Sequence, residues 1–236
     1  MKKAPRLFNP EQGANGNIVL NFTGSPRNEM AAMAESYFRA ATTVREKFES
    51  HGNYSDLDGC PIVFLYRHSL ELFLKAICDY GNALAPLTYN SEIRTADVFK
   101  DHSLSRHLKT IKAIFSAVGW EEDYPHMGLE DPVFEEVISE FDKVDNGSFA
   151  FRYPVKKDGQ TASVADHFTF SVPKFGALIE SILKNLSGAC VGLDEYCDML
   201  HQMYSEAAAD MYSDYAADMH ESYDAGDYYD PGDYYG

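Results

Sequence analysis

Residues 61–81 read PIVFLYRHSLELFLKAICDYG. Pro61 stands where the first turn of a helix tolerates a missing N–H, and Gly81 stands where helices commonly end. Between them Ile62, Val63, Phe64, Leu65, Leu70, Leu72, Phe73, Leu74, Ile77 and Cys78 occupy nearly every side of the helix. A helix that is apolar all round belongs in the middle of other helices. Yet Arg67, Glu71 and Lys75 step by four along it and share one face, and His68 lies beside them. An unpaired buried charge is costly, so a polar stripe on a central helix is either paired with its neighbours or put to use.

The flanking sequence supplies the other helices. Met30, Ala34, Tyr37, Ala41, Val44 and Phe48 form one apolar face between a cap at Asn28 and a stop at Gly52. Residues 81–100 read as a connection. Leu104, Leu108, Ile111, Phe115 and Val118 give a third helix, capped by Asp101 or Ser103. Asp131-Pro132 opens a fourth, with Phe134, Val137, Phe141 and Val144 inward and Asn146-Gly147 closing it. Then the period changes. Phe149, Phe151 and Tyr153 alternate, as do Phe168, Phe170 and Val172, with Asp158-Gly159 between them, which predicts a β-hairpin. Pro173 opens a fifth helix through Phe175, Ile179, Ile182 and Leu186. Gly188 and Gly192 are expected to break it before a tail helix over about 194–221. The expected fold is mainly α: an antiparallel helical bundle of about five helices with a small β-hairpin insertion. Leu65, Leu72, Phe73 and Ile77 are expected to be its most deeply buried side chains.

Charge divides the chain of 236 residues. The net charge is −17, but no Lys or Arg follows Lys184, and 12 carboxylates do. Nine of the 16 tyrosines lie at or after Tyr196. The reading is an irregular, Gly- and Pro-bearing arm over 1–27 with a short strand at 18–22, a helical domain over 28–193, and an acidic, tyrosine-rich extension over 194–236. Such an extension is a solvated tail, a partner-docking segment anchored by tyrosine, or a mimic of nucleic-acid charge. Residues past Glu221 are expected to lack regular structure.

Composition excludes several classes. An acidic chain lacks the basic surface of a general nucleic-acid coat protein and does not dock on anionic membrane. The longest apolar run, Ile62–Tyr66, is far short of the ~20 residues of a membrane span. The start, MKKAPRLFNPEQG, has charges with no apolar stretch behind them, unlike a secretory signal. The expectation is a cytoplasmic protein with no membrane partner. Cys60, Cys78, Cys190 and Cys197 form no C-x-x-C pair and do not combine with histidines at ligand spacings, so free thiols, no metal and no cofactor are expected. P-loop, dinucleotide, zincin, nucleophile-elbow and EF-hand motifs are absent.

Three places carry candidate chemistry. The first is Arg67, His68 and Glu71. The second is the segment DHSLSRHLKTI over 101–111, where His102 and Arg106 stand one turn apart. If the two segments face each other, a histidine serves as general acid or base and an arginine holds phosphate. The third is Arg152, on the face of its strand opposite Phe149, Phe151 and Tyr153, a phosphate or carboxylate clamp or a solvent-facing side chain. Each has a structural alternative, foremost Glu71 bridging Arg67 and Lys75.

YRHSLELFLKAI, HSLSRHL and SFAFRYPVKKDG together resemble bacterial proteins of the HEPN type, over roughly residues 30–190. That resemblance implies a four- or five-helix bundle, often a homodimer, from prokaryotic defence and toxin systems, with RNA or nucleotide as ligand. Its nuclease members are metal-independent ribonucleases carrying an Arg and a His four to six residues apart on a late helix. The one match here, Arg45 to His51, ends the first helix instead, so catalysis is not carried over to it. Under this reading His68 and His102 are the candidate catalytic residues, and Arg67, Glu71, Arg106 and Arg152 the candidate substrate-binding residues. The alternative is a non-catalytic module that binds a protein partner through its acidic tail.

Overall fold

The computed structural model describes residues 13, 16–21, 23–24, 29–50, 55–88, 93, 98–120 and 132–224, with side chains as far as 216. The chain divides into two compact units, Met1–Cys190 and Val191–Gly236. Among the described residues there are five long helices: α1 (Met30–Ser50), α2 (Gly59–Thr88), α3 (Ser105–Ala117), α4 (Pro132–Asp145) and α5 (Val172–Asp224). The first unit holds α1 to α4 and the start of α5. The expected caps at Asn28 and Gly52 lie outside the described residues, as does everything after Asp224.

The second helix is the core of the first unit. Ile62, Tyr66, Leu70, Phe73, Leu74, Ile77 and Cys78 are all buried, and so is Arg67. Leu65 and Leu72, expected among the deepest, are only half-buried. The helix does not stop at Gly81. A Cβ there would lie 2.4 Å from Ile114 Cδ1 of α3 and 2.9 Å from Ile93 Cγ2, so this glycine lets two helices approach and is not a terminator. The helix runs on to Thr88 with Pro86 in its last turn.

Asp142 of α4 holds the start of α3. Its Oδ1 accepts from the Leu104 N–H at 2.9 Å, and its Oδ2 accepts from the Ser105 N–H at 2.9 Å and the Ser103 hydroxyl at 2.8 Å. A carboxylate from another helix thus satisfies the orphan donors of a first turn. The expected local cap is only partial: Asp101 Oδ1 accepts from the Ser103 N–H at 3.0 Å.

The expected β-hairpin insertion is not present, nor is a strand at 18–21. Residues 149–153 turn instead of extending: the Arg152 and Tyr153 N–H groups both donate to the Phe149 carbonyl, at 3.1 and 3.3 Å. That turn stacks Phe149 on Tyr153 with ring centroids 4.5 Å apart. The alternation of aromatics arises from ring packing, since Phe168 stands beside Phe151 and Phe170, and Phe170 beside Phe175. Only one antiparallel bridge, Val155 to Ala162, closes the Asp158-Gly159 loop. Asp158 fixes that loop by accepting from the Gln160 and Thr161 N–H groups, both at 2.9 Å.

The fifth helix is unbroken for 53 residues. The expected stops at Gly188 and Gly192 fail because a glycine inside a helix costs only about 1 kcal/mol against alanine. Asp210, Asp214 and Asp218 repeat at i+4 without interrupting it. Among the described residues no helix is long and apolar enough to cross a membrane.

Candidate functional site

The stripe on α2 is a paired hub. Arg67 is fully buried, and each of its three nitrogens donates to the protein. Its Nη1 donates to Glu71 Oε2 at 2.8 Å, Nη2 to the His102 carbonyl at 2.8 Å, and Nε to the Asp145 carbonyl at 3.1 Å. The Asp145 carboxylate lies 3.5 Å from the same Nε. Glu71 is the second centre: Oε1 accepts from Lys75 Nζ at 2.7 Å and meets His102 Nδ1 at 2.8 Å. Burial alone would raise the Glu71 carboxyl, but the hydrogen bonds from Lys75 and His102, with the charges of Lys75 and Arg67, hold it below its usual range.

Arg67, Glu71 and His102 therefore meet, as the sequence expected for these positions. His68 does not join them. Its ring stacks on Phe64 with centroids 5.7 Å apart and takes the edge of Tyr37 at 4.4 Å. Burial pushes its pKa down, against the opposing pull of Glu71. Arg106 is exposed and pairs with Asp101 at 2.7 Å. No hydrogen bond or ring contact joins His68 to His102.

One hub partner escaped the sequence reading. Asp145 reaches Arg67 from α4, 78 residues on, and also closes the turn after α4 by accepting from the Phe149 and Ala150 N–H groups at 2.6 and 2.9 Å. His107, in the segment singled out by sequence, is buried outside the hub's hydrogen bonds, with no partner for its Nε2 among the described residues, and burial, followed by the charge of Lys75, lowers its pKa. A separate cluster joins α1, α2 and the start of α5. There Glu180 accepts from Arg45 Nε at 2.8 Å and from the Tyr66 hydroxyl. Burial first, and then the Glu180 carboxylate, push the Tyr66 phenol up to about 12. Arg45 is thus engaged within the bundle, and His51 lies outside the described residues.

Arg152 lies elsewhere and remains accessible. Its guanidinium carbon sits 5.6 Å from the Phe64 ring centroid and 5.8 Å from that of Tyr153. Phe64 thus carries His68 as one ring neighbour and Arg152 as another. Arg152 does not face away from the aromatics, as a strand would have required. Phe149, stacked on Tyr153, also lines an adjoining cleft of about 430 Å³, walled by Lys143, Lys156, Lys157, Asp145 and Ser163 among others. Ser163 is buried, with no partner for its hydroxyl among the described residues.

Among the described residues no group of three His, Cys, Asp or Glu side chains could hold a metal ion. None of the four cysteines forms a disulfide, and burial pushes Cys78 up to about 12. Comparison of the chain with protein-family models, curated proteins and solved structures finds no match to any of them.

Proposed function

We propose that the protein is a helical binding module for a nucleotide or single-stranded RNA, and that it binds without cutting. This is the ligand class that the HEPN resemblance implies, carried by Arg152 and not by the stripe on α2. The observation behind it is the Arg152 guanidinium over the Phe64 and Tyr153 rings, beside a cleft walled by three lysines. Exposed rings and guanidinium planes stack bases regardless of sequence, and lysines supply the phosphate charge. The chain is acidic, but residues 146–157 hold Arg152, Lys156 and Lys157 and no carboxylate. Asp142 and Asp145 also line the cleft; helix and turn N–H groups donate to both, and the second Asp145 oxygen, which accepts no hydrogen bond among the described residues, lies 3.5 Å from Arg67 Nε. A cleft of this volume is in the usual range for a small ligand.

The placement of the two candidate histidines supports binding without cleavage. General acid–base cleavage needs two groups at one scissile bond. Here one imidazole is enclosed by Tyr37 and Phe64, and the other is held by Glu71.

The test is fluorescence anisotropy of a labelled single-stranded RNA, and thermal shift with ATP, using the full chain at low salt. The reading expects micromolar binding that weakens with added salt, intact RNA afterwards, and a loss of roughly ten-fold on Arg152→Ala, within the worth of a single stacked base. No binding and no thermal shift, or binding indifferent to Arg152 and to Lys156/Lys157, would overturn it.

A further inference from the structure

We propose that the helical segment from Val191 to Asp224 is a docking helix for a protein partner whose apolar groove is rimmed by lysine and arginine. This inference is independent of the nucleotide reading, since it concerns the second unit alone.

The segment is helical to Asp224, and its side chains are described to residue 216. Met203, Ala207, Met211 and Tyr215 follow each other at i+4, each turned about 40° from the last, and form a ridge across about a third of the helix circumference. All four are exposed, Met211 at 74% and Tyr215 at 65%. Tyr212, in the next row, is 78% exposed. Scattered exposed apolar residues need no explanation, but large ones gathered on one side of a helix mark an interaction surface. Methionine suits such a surface because its flexible thioether adapts to a partner's shape. Helices that dock in grooves likewise gather their anchors on one side, at i, i+3, i+4 and i+7.

Charge decides the occupant. Asp198, Gln202, Glu206, Asp210 and Asp214 form the row beside the methionines. From Val191 to Asp224 there are nine carboxylates and no Lys or Arg. A second copy would bring nine more carboxylates against them with no cation to relieve the repulsion, and an anionic membrane would be repelled likewise. A groove with a cationic rim satisfies both rows at once: methionine and tyrosine enter the groove, and the carboxylates meet its edge. Helices pair this way in coiled coils, where flanking charges choose the partner.

The test uses the full chain and a labelled synthetic helix-forming peptide of about four heptads, with Leu at the a and d positions and Lys at e and g. The expected result is saturable binding that weakens with salt. The variant Met203→Gln/Met211→Gln/Tyr212→Gln/Tyr215→Gln keeps the charge unchanged, and it should bind at least about ten-fold more weakly. Met203→Ala/Met211→Ala, which preserves helix propensity, should weaken binding in the same direction, and circular dichroism verifies that the helix remains. Equal binding by both folded variants would reduce the attraction to charge alone and overturn the proposal. So would equal binding of a peptide with Glu in place of Lys, binding to phosphatidylcholine vesicles in preference to the peptide, or sedimentation showing a self-association that the four-fold variant abolishes.

Discussion

The guanidinium of Arg67 donates to the carboxylate of Glu71 one turn further along α2, Nη1 to Oε2 at 2.8 Å, with both side chains buried. That pair is tied to α3 through the His102 carbonyl and to α4 through Asp145. It therefore fixes where three helices meet. Removing one member of a buried pair leaves an uncompensated charge and costs roughly 3–5 kcal/mol. Arg67→Ala and Glu71→Ala should each lower urea stability by about that amount. Arg67→Met/Glu71→Leu, which removes both charges and keeps volume, should recover much of it. A loss below about 1 kcal/mol in either single variant would show that the hub is not structural.

Asp142 makes a second, smaller prediction. Its carboxylate serves the Leu104 and Ser105 N–H groups at the start of α3. Losing a helix cap costs about 0.5–2 kcal/mol. Asp142→Ala should show a loss in this range, and Asp142→Asn a smaller one. An unchanged urea midpoint in Asp142→Ala would mean that α3 is held by packing alone.

Gly81 tests helix approach. Alanine would gain about 1 kcal/mol of helix propensity in an open position. Here its Cβ would meet the buried Ile114 Cδ1 at 2.4 Å, and overpacking of that kind costs about 1–3 kcal/mol. Gly81→Ala should be destabilising, and Ile114→Val in the same chain should reduce the penalty. A stabilising Gly81→Ala would place α3 further from α2 than the structure does.

Acid should unfold the first unit in two stages. His68 and His107 both have folded pKa values lowered, with burial the leading cause. The unfolded chain therefore takes up these protons first, and stability falls as pH drops below about 6.5, the unfolded histidine value. Glu71, Asp142 and Glu180 also have lowered folded values, because hydrogen bonds outweigh burial. Their contribution is complete above the unfolded carboxyl values and is lost as pH falls through the folded ones, a second decline below about pH 4.5. Melting temperature followed from pH 8 to pH 3 should show both, and His68→Phe/His107→Leu should flatten the first. A flat profile from pH 7 to pH 5 in the unaltered chain contradicts the lowering of these two histidines by burial.

The helices were legible because each buried face repeats at 3.5 to 3.6 residues, as Met30, Ala34 and Ala41 do in α1 and Ile111 and Phe115 in α3. Their ends were less so. Gly81 reads as a terminator when only one helix is visible, and its purpose, room for Ile114, belongs to a partner 33 residues away. The same limit hid Asp145 and Asp142, which reach Arg67 and Ser105 across the fold. The alternation of Phe149, Phe151 and Tyr153 imitated a strand because rings packing around a turn can repeat at two as well. Of the candidate site, the meeting of Arg67, Glu71 and His102 followed from the need to pair a central polar stripe. The departure of His68 to Phe64 and Tyr37 did not, since nothing in the spacing distinguishes an imidazole that hydrogen-bonds from one that stacks.

Arg67 sits in the buried hub, while the ligand binding proposed above rests on the exposed Arg152. The most direct measurement takes Arg67→Met and Arg152→Ala through the same two assays at pH 7: urea unfolding, and anisotropy with labelled single-stranded RNA under conditions where both variants are folded. Arg67→Met should lose several kcal/mol of stability, as broken buried pairs do, and keep RNA affinity within about three-fold. Arg152→Ala should keep its urea midpoint and lose roughly ten-fold in affinity. A folded Arg67→Met that no longer binds RNA, beside an Arg152→Ala that binds normally, would contradict the account and return the site to the stripe on α2.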